Sequence, residues 1–470
     1  MTIHAMTVQW WSALPFVTLL LSIAILPLIP ATEHAWERNR VKLAVALACG
    51  LPVALWFVVA GEGLSVIHAL VEYGQFICLL FALFVVSGGI FLSGDIRATP
   101  RANTTFLAIG GVAASFIGTT GAAMLLIRPL LNTNREREHK VHTVVFAIFI
   151  VANCGGLLTP LGDPPLFLGF LRGVPFEWTF GLWPQWLMVN TLLLLTYYAM
   201  DRRAYANESD FAIAWDKSSQ TKLSVVGKRN FIFFALVILG VAFVPSLDLH
   251  AIETGHAGLA QWIPWRELLF LTAAALSYFV GSRHVRFQLN QFTWSPIIEV
   301  AALFIGIFLA MIPALAFLRQ VAPDLPLNTV TFFVFSGSLS AFLDNAPTYV
   351  TFFEMAAQLP GEPRIGTAPG VPEAYLLAIS LGAVLCGAIT YIGNGPNFMV
   401  KAVADSAGVR TPSFGGYLVW SLRYLVPSIT AMVLVFLTTG WLWRGLGIAL
   451  AAAIVIRSLW LAKAPLRQPT

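Results

Sequence analysis

The sequence predicts an all-α integral membrane protein folded as an inverted repeat, with about eleven crossing helices, two re-entrant hairpins and two broken helices. Three observations predict it. The first is composition: of 470 residues, 58% are hydrophobic and 11% charged, with a mean hydropathy of +0.78. A soluble protein carries roughly 25% charged residues. The second is the stretch Asn153–Pro165, N-C-G-G-L-L-T-P-L-G-D-P-P, which interrupts a long apolar segment. Gly155 and Gly156 weaken a helix there, and Pro160, Pro164 and Pro165 each remove a backbone donor. The third is a second copy: T-x-[LI]-G-[DN]-[GP]-P occurs at Thr159–Pro165 and again at Thr390–Pro396, 231 positions later.

Taken in order, spanning helices are expected over 11–29, 41–60 and 73–92, each long enough for a hydrocarbon core that needs about 20 residues. The loop after the first carries Arg38, Arg40 and Lys42, and the loop after the third carries Arg97 and Arg101, whereas 61–72 has no Lys or Arg. Excess Lys and Arg marks the cytoplasmic side. The N-terminus is therefore expected outside and residues 94–103 inside. The next stretch, 104–131, has basic segments on both flanks, since Arg135, Arg137 and Lys140 follow it. A re-entrant hairpin with its tip at Gly118-Thr119-Thr120-Gly121 reconciles the two flanks. The alternative is an ordinary span with a glycine packing face. The broken helix covers 141–171, and the run from His142 to Asn153 is about 16 Å of helix, which puts the break near the bilayer centre. A return span over 183–200 leads into 201–230, the longest basic loop, which joins the two halves.

The second half repeats the plan upside down. Spans are expected over 231–244, 267–280 and 297–317, then a hairpin over 329–357 and a broken helix over 372–404. A closing span over 417–440 follows, with one extra helix over 445–461 that ends near Lys463 and Arg467 on the inside. The hairpin tips, Phe116–Gly121 and Phe342–Pro347, stand 226 positions apart, in the same order as the repeated break and at nearly its offset. The chain divides into 1–200 (first repeat), 201–230 (cytoplasmic linker), 231–440 (second repeat) and 441–470 (extra helix). Cys49, Cys78, Cys154 and Cys386 lie in apolar segments without disulfide or metal spacing. The net charge of +5 sits in loops and does not point to nucleic acid.

Broken helices expose half-helix ends carrying about half a unit of charge, the usual ion sites of secondary transporters. The polar residues at the breaks and tips are Thr119, Thr120, Asn153, Thr159, Asp163, Asp344, Asn345, Thr390, Asn394 and Asn397. Oxygen ligands suit hard cations; hydroxyl and amide donors equally bind carboxylates. The two charged members, Asp163 and Asp344, are acidic, and no basic residue is expected at their depth. An ionised carboxylate there costs about 2.5–3.5 kcal/mol on an insertion scale, a cost that a cation or a proton relieves. The two are expected to titrate as a coupled pair. This favours exchange of a cation, with sodium held by Asp163, Asp344, Asn345 and Asn394, for protons. The plainer reading is that both aspartates cap helix N-termini. Glu299 is a candidate proton relay. His139 and His142 are expected at the interface and Glu354 in solvent. H-E-x-x-H, P-loop and G-x-S-x-G motifs are absent, so neither an enzyme nor a cofactor is expected.

The phrases G-T-T-G-A-A-M-L-L-I-R-P-L (from Gly118), T-P-L-G-D-P-P-L-F-L-G-F-L-R-G-V-P-F (from Thr159) and F-L-D-N-A-P-T (from Phe342) resemble the ion transporter superfamily over nearly the whole chain. The likeness is to its branch of sodium–proton antiporters and citrate transporters. The resemblance implies ion and substrate bound between hairpin tips and helix breaks, and an elevator-type homodimer in the bacterial inner membrane with the C-terminus cytoplasmic. The carboxylate symporters of the superfamily carry Ser-Asn-Thr at the hairpin tips. Here those positions read Gly118-Thr119-Thr120 and Asp344-Asn345-Ala346, which departs from the carboxylate-binding pattern. The alternative function is sodium-coupled symport of citrate or another organic anion. A third is a scaffold or channel without a coupled cycle.

Overall fold

The computed structural model describes residues 8–463 apart from 37, 219, 256, 368 and 369. The expectations placed on residues 1–7 and on Arg467 lie outside the described residues. The chain is mostly helical. The first part holds α1 (Leu14–Ile25), α2 (Pro30–Trp36), α3 (Asn39–Val59), α4 (Gly63–Ser87), α5 (Pro100–Ile117), α6 (Thr119–Thr133), α7 (Val141–Ile150), α8 (Pro164–Leu171), α9 (Trp183–Ala206) and α10 (Asp210–Ser218). The second holds α11 (Asn230–Phe243), α12 (Leu249–Glu253), α13 (Trp265–Val280), α14 (Ser295–Val321), α15 (Thr329–Phe342), α16 (Asn345–Ala357), α17 (Glu373–Cys386), α18 (Gly395–Ser406), α19 (Phe414–Trp420), α20 (Val426–Phe436) and α21 (Trp441–Ala462).

Among the described residues, five helical stretches are long and apolar enough to cross a membrane: Asn39–Val59, Gly63–Ser87, Ser295–Asp324, Phe414–Phe436 and Trp441–Ala462. The spans expected over 231–244 and 267–280 form helices close to those bounds, below the length of the five. α11 has 14 residues and α13 has 16, because Pro245 and Gly281 follow them closely. The expected loop 61–72 is mostly helix: α4 begins at Gly63, so Glu72 stands inside it.

Beside the helices stands a small sheet that was not expected. β1 (Phe91–Asp95) pairs antiparallel with β2 (Thr221–Val226), Phe91 opposite Val226. The linker 201–230 is accordingly folded rather than a loop: α9 runs through to Ala206, α10 follows, and β2 docks on the segment just after α4. Gly88 and Gly89 end α4 and release the extended strand, while Thr221, Val225 and Val226 are β-branched and favour a pleated edge. Two-residue strands at 364–365 and 371–372 form a second pair.

The helices pack in two groups. One gathers α1, α3, α4, α11, α13 and α14, with α14 lying along α3 and α4. Its backbones approach closely where Gly50 meets Gly306; a Cβ on Gly306 would come within 2.4 Å of the Ala46 carbonyl. Small residues permit such contacts between apolar helices. The other group holds α5 to α9 and α15 to α21, with α15 against α17, α16 against α8 and α18 against α6. The groups meet where α4 touches α6 and α8, and where α14 touches α16.

Candidate functional site

Two helix breaks and two helix–helix corners converge between the groups. α7 ends at Ile150, a short 3-10 turn covers Cys154–Leu157, and helix resumes at Pro164. α17 ends at Cys386 and helix resumes at Gly395. Both breaks are closed by glycine contacts: a Cβ on Gly162 would lie 2.0 Å from Gly156 O, and one on Gly393 would lie 2.6 Å from Gly387 O. The corner between α5 and α6 is Gly118, whose φ of +80° suits glycine. The corner between α15 and α16 is Leu343-Asp344.

The freed backbone groups find partners. Thr159 Oγ1 donates to Ser115 O, and Thr390 Oγ1 donates to Ala341 O. Each hydroxyl also accepts the amide two residues on, Leu161 N at 3.2 Å and Ile392 N at 3.3 Å. Ser115 Oγ donates to Gly155 O at 2.5 Å, Asn190 Nδ2 to Cys154 O at 3.2 Å, and Trp186 Nε1 to Gly155 O at 3.0 Å. In the second break Tyr417 Oη donates to Ala388 O at 2.8 Å. Thr159 and Thr390 therefore fasten break to corner and do not face the cavity. Ser115, Asn190, Trp186 and Tyr417 were not singled out from the sequence. Of these only Ser115 carries a signal, a small hydroxyl three residues before a glycine corner.

Asp163 is the hub, 1% exposed. Its Oδ1 accepts from Thr119 Oγ1 at 2.8 Å and Asn394 Nδ2 at 3.1 Å, and its Oδ2 accepts from Asn345 Nδ2. One carboxylate thus draws on both corners and the opposite break. Asn394 Nδ2 also reaches Asn153 Oδ1 at 3.1 Å, and Asn153 Nδ2 donates to Asn397 Oδ1 at 2.6 Å. Asn397 Nδ2 in turn donates to Gly387 O at 2.8 Å and Thr390 O at 2.9 Å. Asn345 Oδ1 is buried without a hydrogen-bond partner, an acceptor left over beside the carboxylate.

Asp344 is half-buried and not part of that net. It caps α16, its Oδ1 accepting from Ala346 N at 3.1 Å. Asp344, Asp163, Thr119, Thr120 and Asn394 share the lining of a cavity of about 100 Å³ between the corners, α4 and α14. That holds several waters. Among the described residues that line it there is no Lys, Arg or His.

Three charged or titratable side chains have partners that the sequence did not show, and for Glu354 the expectation of a solvated side chain is corrected. Glu299 does not line the cavity; it pairs with Lys42 at 2.5 Å, because it lies on the face of α14 turned to α3. Glu354 is not solvated: its side chain is 14% exposed and pairs with Arg172 and Arg319. His142 is buried, its Nε2 2.8 Å from Asp201, which also pairs with Arg137 at 2.6 Å.

Apolar spanning helices around a polar site built at paired helix breaks define a helical membrane transporter. The family described as "Putative citrate transport" matches residues 5–437, and the chain belongs to that family. No curated protein matches it.

Proposed function

We propose that the protein is a secondary active transporter that exchanges sodium or a similar small cation for protons. The observation that carries this reading is the charge of the cavity: two carboxylates line it and, among the described residues, no basic one does. The N-termini of α8, α16 and α18 point the same way. An anion site at a helix start needs free N–H groups. Pro164, Pro165, Pro347 and Pro396 supply none, and Ala346 N is taken by Asp344. The Asp344 carboxylate, which lines the cavity, suits a hard cation.

The reading includes the finer architecture: about eleven crossings, two re-entrant hairpins and two inverted repeats, 1–200 and 231–440, joined by 201–230 and followed by 441–470. The repeated contacts support it. Ser115 with Thr159 and Ala341 with Thr390 reproduce the two sequence offsets, and Gly156 with Gly162 is matched by Gly387 with Gly393. The proposal further places the protein as a homodimer in a bacterial inner membrane, N-terminus outside and C-terminus cytoplasmic, with no nucleic-acid partner.

A second reading, sodium-coupled symport of citrate or another organic anion, is favoured by the family description. Proteoliposomes separate the two. A sodium pulse drives proton flux in an antiporter, whereas citrate uptake that requires sodium without such flux establishes the symporter and overturns the first reading.

A further inference from the structure

The two helix groups meet along α4, and three cavities follow one another on that seam. His68, Glu72 and Gln75 line a cavity of about 500 Å³; Phe76, Leu79 and Leu83 line the central one; Phe84, Ser87 and Gly88 line a third of about 70 Å³. The central and third cavities share Phe84, Pro296 and Met399, whereas the first and the central share no lining residue. An aromatic barrier stands between those two. Phe76 stacks on Phe304 with centroids 5.0 Å apart, and Phe308 lies 6.0 Å from both Phe76 and Tyr73.

Beside the barrier runs a chain of ion pairs. Arg172, just after α8, donates from Nη2 to Glu72 Oε2 of α4 at 2.7 Å and from Nε to Glu354 Oε1 of α16 at 3.3 Å. Glu354 Oε2 accepts from Arg319 Nη2 of α14 at 2.8 Å. Arg172 is 9% exposed at its side chain. Arg172 and Glu354 belong to the group with the broken helices, Glu72 and Arg319 to the other, so the chain crosses the seam twice.

We propose that Glu72, Arg172, Glu354 and Arg319 form an ion-pair latch that holds the seam shut on the Glu72 side, and that it opens in each transport cycle. The proposal rests on the transporter reading above. Two bodies that slide past one another must exchange the contacts between them, and the pairs that cross the seam set how often it opens. Glu72 and Arg319 are the outer members, with side chains 27% and 49% exposed. Neutralising either leaves the inner Arg172–Glu354 pair intact, so no lone charge is buried.

The test uses the full chain with its four cysteines replaced by Ala, reconstituted in vesicles and carrying Val300→Cys in the central cavity. A membrane-impermeant maleimide is applied from each side, and Asp248→Cys in the 500 Å³ cavity marks the Glu72 side. Glu72→Gln and Arg319→Gln should each raise labelling of position 300 from that side roughly tenfold, within the range of ordinary coupling energies. Labelling of position 248 should stay constant. Unchanged labelling at position 300 in both variants overturns the latch. Sodium-evoked proton flux in the same vesicles keeps the two ideas apart. Flux with unchanged labelling removes the latch alone; faster labelling without flux, even in the parent chain, upholds the latch and removes the antiport reading.

Discussion

Replacing Asp163 separates its charge from its hydrogen bonds. Its carboxylate accepts from Thr119, Asn394 and Asn345 while almost fully buried. Hydrogen bonds to a charged group are worth roughly 1.5–3 kcal/mol each, and donors left unpaired add their desolvation. Asp163→Ala strands three donors and should destabilise by about 4–6 kcal/mol. Asp163→Asn is a different perturbation. Its oxygen can keep Thr119 and Asn394, and its new amide group would oppose Asn345 Nδ2. Rotating the Asn345 amide by half a turn brings its unpartnered Oδ1 into place to accept. The cost should then be about 1 kcal/mol. Thermal unfolding of the purified variants, followed by tryptophan fluorescence, reads the difference. Proteoliposome exchange should be abolished in both. An Asn variant as unstable as the Ala variant would refute the hydrogen-bond reasoning; one that exchanges at the parent rate would refute the charge assignment.

Asp344→Asn keeps the oxygen that caps Ala346 N, so it should fold normally and lose sodium-evoked proton flux; parent-level flux removes Asp344 from the site. Gly162→Ala places a Cβ 2.0 Å from Gly156 O and should prevent recovery of folded protein on size exclusion, whereas Gly415→Ala, with open space around it, should behave as the parent. Asp95, at the end of β1, is 7% exposed, and burial with Glu136 and Asp216 nearby pushes its carboxyl up to about 6, against 3.8 ordinarily. The folded state thus holds the proton more tightly, and stability falls as pH rises from about 4 to about 6. Asp95→Asn should match the parent below pH 4 and unfold at a higher temperature above pH 6; equal midpoints at pH 7.5 would contradict the sign.

The breaks were legible because glycine and proline forbid helix wherever they cluster, whatever the surroundings. Asp163, Asn394 and the corner residues followed from the repeated phrase, and the structure brings Thr119, Asn153, Asn345, Asn394 and Asn397 into one net with Asp163. Thr159 and Thr390 fasten backbone through their hydroxyls, and a hydroxyl that does so looks in sequence like one that faces a ligand. Glu354 was unreadable because its partners come from elsewhere, Arg172 182 positions away and Arg319 35. Side-chain exposure in a seam between two bodies has no periodic signal. The strand after α4 is five residues long, too short for alternation to stand out, and its partner lies 130 positions on, in what reads as a basic linker.

The asymmetry of the two carboxylates bears on how exchange would work. On the proposed repeat, Asp163 corresponds to Asn394 and Asp344 to Gly118, so each half would contribute one acid at a different place. Asp163 spends its acceptors on three donors from three elements, which holds the corners to the breaks and keeps the charge satisfied without a ligand. Asp344 has one backbone donor and faces the cavity. On the antiport reading, the fixed acid lends the site a charge that the cation needs, and the open acid is the group that takes either the cation or the proton. Moving the cavity with neither bound would carry an unneutralised carboxylate past hydrocarbon, at a cost of about 2.5–3.5 kcal/mol on the insertion scale. That penalty by itself favours the loaded states over the empty one, so coupling follows from competition at Asp344 and needs no further gate for its stoichiometry.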